Sequence, residues 1–301
     1  MKPYLGGYKV RIDKTNVFQA WKTLFSTSIN NMTFRFSTSI ENFAERVRGQ
    51  YGVYEWHFLR SLFDATVFLG AYHEGDWLRV ILHRGKRLIF WCGGDILRLQ
   101  KKKLWQLLLK CVKIDHVCEN EVEQKALKEM GFEARIHPIL FFDDWTKYPL
   151  SYKDPNGKPH VWLTCHPGRE KEYGVGLVEE IADSIPEVTF HIFGVKRKSY
   201  NMYGKHNVIY HGQVPSEEMD AMIRGYHAGL RTCEFDGCSH TVTKGVLLGQ
   251  WSINRIPYPH TDSYKTKEEL ITLLKNLKNK TKPNIAGRKH WIKVVSEFPW
   301  Q

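Results

Sequence analysis

Nothing in the chain's 301 residues approaches the roughly 18 consecutive apolar residues that a membrane-spanning helix requires. The opening Met1-Lys2-Pro3-Tyr4-Leu5-Gly6-Gly7 lacks the apolar stretch of a secretory signal. Cysteine is sparse. Six in a chain of this length, with no such signal, read as reduced thiols in a cytoplasmic compartment. No Gly-x-Gly-x-x-Gly follows a strand-like run, which disfavours a plain dinucleotide-dependent dehydrogenase. The compact group Cys233, Cys238 and His240 has no second pair at zinc spacing, and no cysteine shows the partner pattern of a catalytic nucleophile. Internal repeats and low-complexity segments are also missing.

Hydrophobic residues make up 42% and charged residues 25%, an ordinary globular balance with apolar mass for one large or two compact domains. Acid is in short supply: 44 Lys and Arg face 32 Asp and Glu, for a net charge of +12. The deficit is sharpest between Arg79 and Lys113. Arg79, Arg84, Lys86, Arg87, Arg98, Lys101, Lys102, Lys103, Lys110 and Lys113 there meet a single acid, Asp95. Such a field concentrates polyanions (nucleic acid, anionic lipid or a phosphorylated glycan), or it is a merely soluble basic face.

Turn formers and prolines cluster from Asp143 to Leu150 and on through Asp154-Pro155-Asn156-Gly157-Lys158-Pro159. This seam predicts two domains, residues 1–148 and 149–301, with the last helix free to pack back on the first. Strand and helix patterns alternate on both sides of it. After the seam come strands at His160–Cys165, Val188–Phe193, Val208–Tyr210, Gly229–Thr232 and Trp251–Ile253. Helices are expected at Val175–Ile185, after Ser216 and from about Thr241. Before the seam, strands are expected at Ala65–Leu69, Arg87–Trp91, Ile114–Cys118 and Ala134–Ile139. Helices fall near Trp77–Leu82, from Ile96 to Lys113, and from Glu121 to Met130. Residues 1–63 are harder to read, with helix expected near Phe18–Leu24 and Ile40–Val47. The alternation implies α/β architecture: two Rossmann-like domains facing across a cleft, each a parallel sheet covered by helices. Ligands on such sheets lie beyond the carboxyl ends of the strands.

Three loops at those ends carry candidate chemistry. Gly168, Arg169 and Lys171 sit between a strand and a helix start, where they suit a phosphate or form a plain connection. Asp236, Gly237, Ser239, His240 and Thr241 precede a second helix. Asp236 could accept from hydroxyls, and Ser239 could donate to a ligand or simply cap the helix. Trp91-Cys92-Gly93-Gly94-Asp95 lets a ligand approach backbone, with Asp95 as a catalytic acid or an ion-pair partner. His73, at another strand end, could be a base or a loop brace.

From about Asp64 to Arg255 the chain resembles the GT-B glycosyltransferases, in particular the retaining class related to glycogen and lipopolysaccharide synthases. The residues that carry the resemblance are Val161-Trp162-Leu163, Arg169, Lys171 and Gly174, then Ile185 to Gly194, then Asn207-Val208-Ile209-Tyr210-His211-Gly212 with Ser216-Glu217-Glu218-Met219. The family's two acids eight positions apart, with a closing glycine, fall on Asp236, Lys244 and Gly249. The resemblance implies a transferase moving a hexosyl or pentosyl group from a nucleoside-diphosphate sugar, a UDP-sugar foremost, with no tightly bound cofactor and no metal. Asp236 would face the sugar. A helix dipole, Arg169 and Lys171 would neutralise the leaving diphosphate. Lys244 reverses the charge of the family's second acid, so the donor differs, or Lys244 meets a phosphate, or nucleotide handling has moved.

For the acceptor, Arg98, Lys101, Lys102 and Lys103 lie in the domain that binds acceptors in that family. One reading is DNA bearing hydroxymethylated pyrimidines, as in phage DNA glycosyltransferases, with the base extruded from the duplex. Another is an envelope glycan at an anionic membrane, with Leu97, Leu104, Trp105, Leu107 and Leu108 forming an interfacial helix. Core packing of these leucines is favoured over that role, and DNA over the membrane. A third reading is a non-catalytic nucleic-acid-binding protein on a degenerated transferase fold.

Overall fold

The computed structural model of the chain describes residues 33–43, 54–55, 62–138, 144–196 and 205–296. Their strands form two six-stranded sheets in which every pairing is parallel. The first contains β1 (Thr33–Phe36), β2 (Tyr54–Glu55), β3 (Thr66–Leu69), β4 (Arg87–Phe90), β5 (Asp115–Cys118) and β6 (Ala134–Ile136), in the order β2-β1-β3-β4-β5-β6. Between them run α1 (Glu74–Leu82), α2 (Gly94–Gln100), α3 (Lys103–Lys110) and α4 (Glu121–Glu129).

The second sheet holds β7 (His160–Thr164), β8 (Thr189–Phe193), β9 (Val208–Gly212), β10 (Ala228–Arg231), β11 (Ile253–Asn254) and β12 (Asp262–Ser263), ordered β12-β11-β10-β7-β8-β9. Its helices are α5 (Val175–Ile181), α6 (Ser216–Ile223), α7 (His240–Leu247), α8 (Lys267–Asn276) and α9 (Ile285–Ser296). The fold is α/β of the GT-B type.

The layers follow from strand alternation. In β7, Val161 and Leu163 point to one face and join Val178 of α5 and Leu270 of α8 in one core. Trp162 points to the other face and packs with Val242 and Val246 of α7 and Trp291 of α9. Both faces of β7 are covered, so its central residues Val161, Trp162 and Leu163 are all apolar and buried, as a strand inside a parallel sheet demands. Burying each such aliphatic side chain contributes about 1.5–3 kcal/mol.

Several expectations need correction. The basic helix expected from Ile96 to Lys113 is two helices, α2 and α3. The buried Gln106 amide donates to Leu99 O (2.9 Å) and Gln100 O (3.1 Å), satisfying carbonyls at the end of α2 and turning the chain there. The leucines expected in the core largely are not. Leu104 is 65% and Leu107 60% exposed, and Leu97 and Leu108 are also exposed, while Leu99 and Leu109 supply the buried contacts. Trp105 is half-buried against Trp77, with ring centroids 5.6 Å apart.

In residues 1–63 a strand was not expected at Thr33–Phe36, yet β1 lies inside the sheet between β2 and β3. Its Thr33-Phe34-Arg35-Phe36 alternation is too short to stand out. Gly6, Gly7 and the helix expected at Phe18–Leu24 lie outside the described residues, as does the latter part of Ile40–Val47; its start falls in a 3-10 turn, Thr38–Phe43. The last described helix, α9, packs on α7.

Candidate active site

In the second sheet the strand order reverses between β7 and β10, and a crevice opens at such a switch point beyond the carboxyl ends. Two loops flank it: one runs from Cys165 to Gly174 and opens α5, the other from Thr232 to Ser239 and opens α7. They press closely together. Gly174 has φ +70°, and a Cβ there would lie 2.1 Å from Thr232 Oγ1, so only glycine fits.

This packing brings Arg231, the last residue of β10, over Tyr173, with its guanidinium carbon 4.2 Å from the ring centroid. Arg169 lies 5.1 Å from the same centroid. His166 meets Tyr173 edge-on at 5.6 Å. Burial lowers the His166 pKa, and the nearby charges of Arg169 and Arg231 add to that shift. Burial raises the Tyr173 phenol.

Asp236 closes the group. Its Oδ2 accepts from Arg231 Nε at 2.7 Å and also from Nη2. Burial works against the charge on Arg231, but the Asp236 carboxylate outweighs it and holds the guanidinium above the ordinary arginine range. Arg169 is exposed and paired with Glu172 through Nε (2.7 Å) and Nη2. Gly168 and Lys171 are exposed on the same loop.

Ser239 caps α7, with its Oγ accepting from Thr241 N at 3.2 Å. Thr241 Oγ1 meets Thr164 Oγ1 at 3.0 Å, stitching the helix start to β7. His240 is half-buried at the first helical position.

Lys244 does not face this crevice. Its side chain, 6% exposed, donates to Asp220 Oδ1 on α6 at 2.6 Å and lies 5.3 Å from the Tyr148 ring centroid, while Tyr148 OH donates to Asp220 Oδ2 at 2.9 Å. The expected contact with donor phosphate is replaced by a buried ion pair, because the cation's stem reaches under α6.

The carboxyl edge of the first sheet meets this site directly. Gly237 abuts Glu119, and a Cβ on Gly237 would fall 1.9 Å from Glu119 Oε2. Glu119 Oε2 accepts from Cys238 N at 2.9 Å, and Asn120 Nδ2 donates to Asp236 O at 2.7 Å. Tyr258 OH donates to Gly237 O at 3.1 Å. Behind Glu119, Glu123 Oε2 accepts from Glu119 N at 2.7 Å, while Glu123 Oε1 is buried without a hydrogen-bond partner. Burial, then the Glu119 charge, raises the Glu123 pKa well above the usual carboxylate range.

Asp95 is wholly buried and accepts from three backbone N–H groups, Ala71 (3.0 Å), Cys92 (3.0 Å) and Ile96 (2.9 Å). Burial lifts its pKa to about 6 against the pull of those bonds. It braces two loops and has no face toward a substrate, which corrects the expectation of a catalytic acid or an ion pair.

His73 is exposed. Ser39 Oγ lies 2.8 Å from its Nε2 and Arg98 Nη1 3.3 Å from its Nδ1, so it ties α2 to the turn after β1. Lys102 pairs with Glu74 at 2.8 Å, and Lys101 and Lys103 are exposed beside it. Among the described residues no group of three or more His, Cys, Asp or Glu is arranged to hold a metal ion.

Arg231, Tyr173, Glu119 and Glu123 were not singled out from the sequence. The signal for Arg231 was available: an arginine closing an otherwise apolar strand, Ala228-Gly229-Leu230-Arg231, five residues before the candidate acid. Glu119 sat in a recognised strand–helix connection and Glu123 in the helix it opens, but Glu119's partner Cys238 is more than a hundred residues away.

No family model matches the chain, and no curated protein matches it in sequence. Its fold does match solved structures. One is TarM of S. aureus, at 11% identity and a TM-score of 0.55, covering 85% of this chain and 56% of that one. Another is HepE from Anabaena, solved with UDP and glucose, at 10% identity and 0.51, covering 77% and 78%. A third is sucrose-phosphate synthase from Thermosynechococcus elongatus, at 12% and 0.56, covering 87% and 75%. The chain spans little more than half the length of TarM. At these identities the likeness is one of fold alone, the two parallel-sheet Rossmann-like arrangement of GT-B structures.

Proposed function

We propose that the chain is a glycosyltransferase that takes a sugar from a nucleoside-diphosphate sugar, with the donor seated at the switch point between β7 and β10. The observation that carries this reading is the convergence of Arg231, Arg169 and His166 on Tyr173, beside Asp236, at the carboxyl edge of the second sheet. A departing diphosphate needs fixed positive charge in a place poor in water, and a nearly buried guanidinium supplies it without reorganisation. Asp236, bound to Arg231 through Oδ2 alone, is a carboxylate beside that cation that could accept from sugar hydroxyls. The acceptor would enter from the side of the first sheet, whose carboxyl edge packs against the Asp236 loop at Gly93 and Gly237. HepE with UDP and glucose, and the pneumococcal transferase GtfA with UDP and GlcNAc, make a UDP-sugar the first donor to try.

On the acceptor, the exposed Leu104 and Leu107 on α3, with Lys101, Lys102, Lys103 and Lys110 around them, support a substrate held at an anionic lipid surface. A DNA backbone would use the lysines but leave the leucines in water. DNA is therefore the second reading, carried by the net charge of +12.

The test is incubation of the protein with a panel of nucleotide sugars, alone and with anionic vesicles or hydroxymethylated DNA. Release of nucleoside diphosphate and labelled product are read together. Turnover that depends on one nucleotide sugar and falls in Asp236→Asn supports the reading. Salt-sensitive DNA binding with no turnover of any donor would favour the non-catalytic alternative.

A further inference from the structure

The Arg231–Asp236 contact has an unusual form for so buried a pair. Arg231 can present two parallel N–H groups that match two oxygens of a carboxylate or phosphate. Here both Nε and Nη2 fall on a single oxygen, Oδ2 of Asp236. The guanidinium side chain is 12% exposed and the carboxylate 27%. A nearly buried guanidinium left with no counter-charge is strongly disfavoured, so something anionic has to stand there in the empty protein. The end-on arrangement supplies that charge while leaving the fork unmatched.

Its neighbours are organised for a larger anion. Tyr173 lies against both Arg231 and Arg169, and Gly174 locks that ring's loop onto Thr232, the residue after Arg231. Arg169 is held by Glu172 in the solvent-exposed outer part of the same site, where water screens such a pair and it is easily exchanged. The inner and outer guanidiniums thus each carry a carboxylate of this chain.

Resting on the donor-site reading above, we propose that Asp236 is an internal place-holder. In the empty protein its carboxylate occupies the fork of Arg231. A donor's diphosphate takes that fork on binding, and Asp236 is released toward the hydroxyls of the sugar. Arg231 is then the principal cation for the leaving diphosphate, ahead of Arg169 and Lys171. One residue couples donor arrival to the placement of the acid, so an empty site keeps that acid neutralised.

The experiment is calorimetric titration of UDP and, separately, inorganic pyrophosphate into the wild type, Asp236→Asn, Arg231→Gln and Arg231→Lys. Thermal unfolding of each variant verifies that it is folded. Removing the competing charge should make Asp236→Asn bind pyrophosphate about tenfold tighter than wild type, and Arg231→Gln should bind it at least about tenfold weaker. Arg231→Lys, which keeps the charge but loses the fork, should fall between. If UDP binds but Asp236→Asn takes pyrophosphate no tighter than wild type, the place-holder is refuted and the donor site stands. The place-holder also fails if Arg231→Gln and Arg231→Lys bind as wild type does. If neither ligand binds any folded form, the donor-site reading falls and the place-holder with it.

Discussion

The Glu119 carboxylate, carried on the first sheet, accepts a hydrogen bond at 2.9 Å from the backbone N–H of Cys238, which belongs to the second. It lands two residues past Asp236 and just ahead of α7, so the two carboxyl edges are joined at the candidate site itself. Removing it should be felt in stability and in the site together. Glu119→Ala is expected to cost about 1–3 kcal/mol in urea unfolding, the usual penalty for orphaning a buried donor. It should also weaken UDP binding. An unfolding midpoint equal to wild type would show that this contact holds nothing.

Glu123 gives that junction a pH signature. Its pKa is raised by burial and by Glu119, so the folded protein keeps a proton that the unfolded chain releases. Its contribution is complete below the unfolded value of about 4.3 and is lost as pH rises through the folded value. Glu123→Gln should therefore resemble the wild type near pH 4 and be more stable at pH 8. Parallel pH profiles for the two proteins would contradict this.

A second pH effect runs the other way. His191 lies between His160 (2.8 Å) and His211 (2.9 Å), with Tyr226 OH at 3.0 Å, and His227 accepts from His160 N at 2.8 Å. Burial, with the neighbouring imidazoles, lowers His191 to about 3 and His227 to about 4. Unfolded histidine takes a proton near pH 6.5. Stability from this ladder is present above that value and is lost as pH falls toward the folded pKa values. The melting temperature should drop steeply between pH 6.5 and 4, and less steeply in His191→Gln. A flat wild-type profile over that range would rule the ladder out as an acid-sensitive element.

Much of the fold was legible because parallel strands buried on both faces read as short apolar runs. Val161-Trp162-Leu163 and Phe190-His191-Ile192-Phe193 are examples, each closing on a glycine-bearing loop, and the first runs on into a helix start. The candidate site was legible in part. Asp236 and Arg169 sit on such loops, but Arg231 looked like the polar end of a strand, and its worth comes from Tyr173 and Asp236 meeting it in space. Lys244 was misread for the opposite reason. Its position on α7 matches the family's acid, but its long stem carries the charge to Asp220. The exposure of Leu104 and Leu107 was hidden because Gln106 ends α2 early and turns α3 outward, which no periodicity reveals.

Lys244→Glu, which restores the acid of the related pattern, should accordingly not change nucleotide preference. It places a carboxylate against Asp220 in a nearly closed site and should destabilise by about 3–5 kcal/mol, as breaking a buried pair does. Chemical denaturation measures this. A stable variant with a new nucleotide preference would return Lys244 to the donor pocket.

Leu104→Gln with Leu107→Gln should leave folding within about 0.5 kcal/mol of wild type, since both side chains are exposed. The pair should reduce sedimentation with anionic vesicles several-fold while leaving DNA binding intact. Lys101→Glu with Lys102→Glu should weaken both. Vesicle binding untouched by the leucine changes would remove the lipid surface as the acceptor side.

The account rests on a diphosphate taken up by Arg231 at the β7–β10 switch point, and a crystal structure of the protein with UDP tests it most directly. The diphosphate should lie within hydrogen-bond distance of Arg231, beside Tyr173 and Arg169, with Asp236 turned away from the guanidinium. UDP bound elsewhere, or bound with the Arg231–Asp236 pair intact, would contradict it.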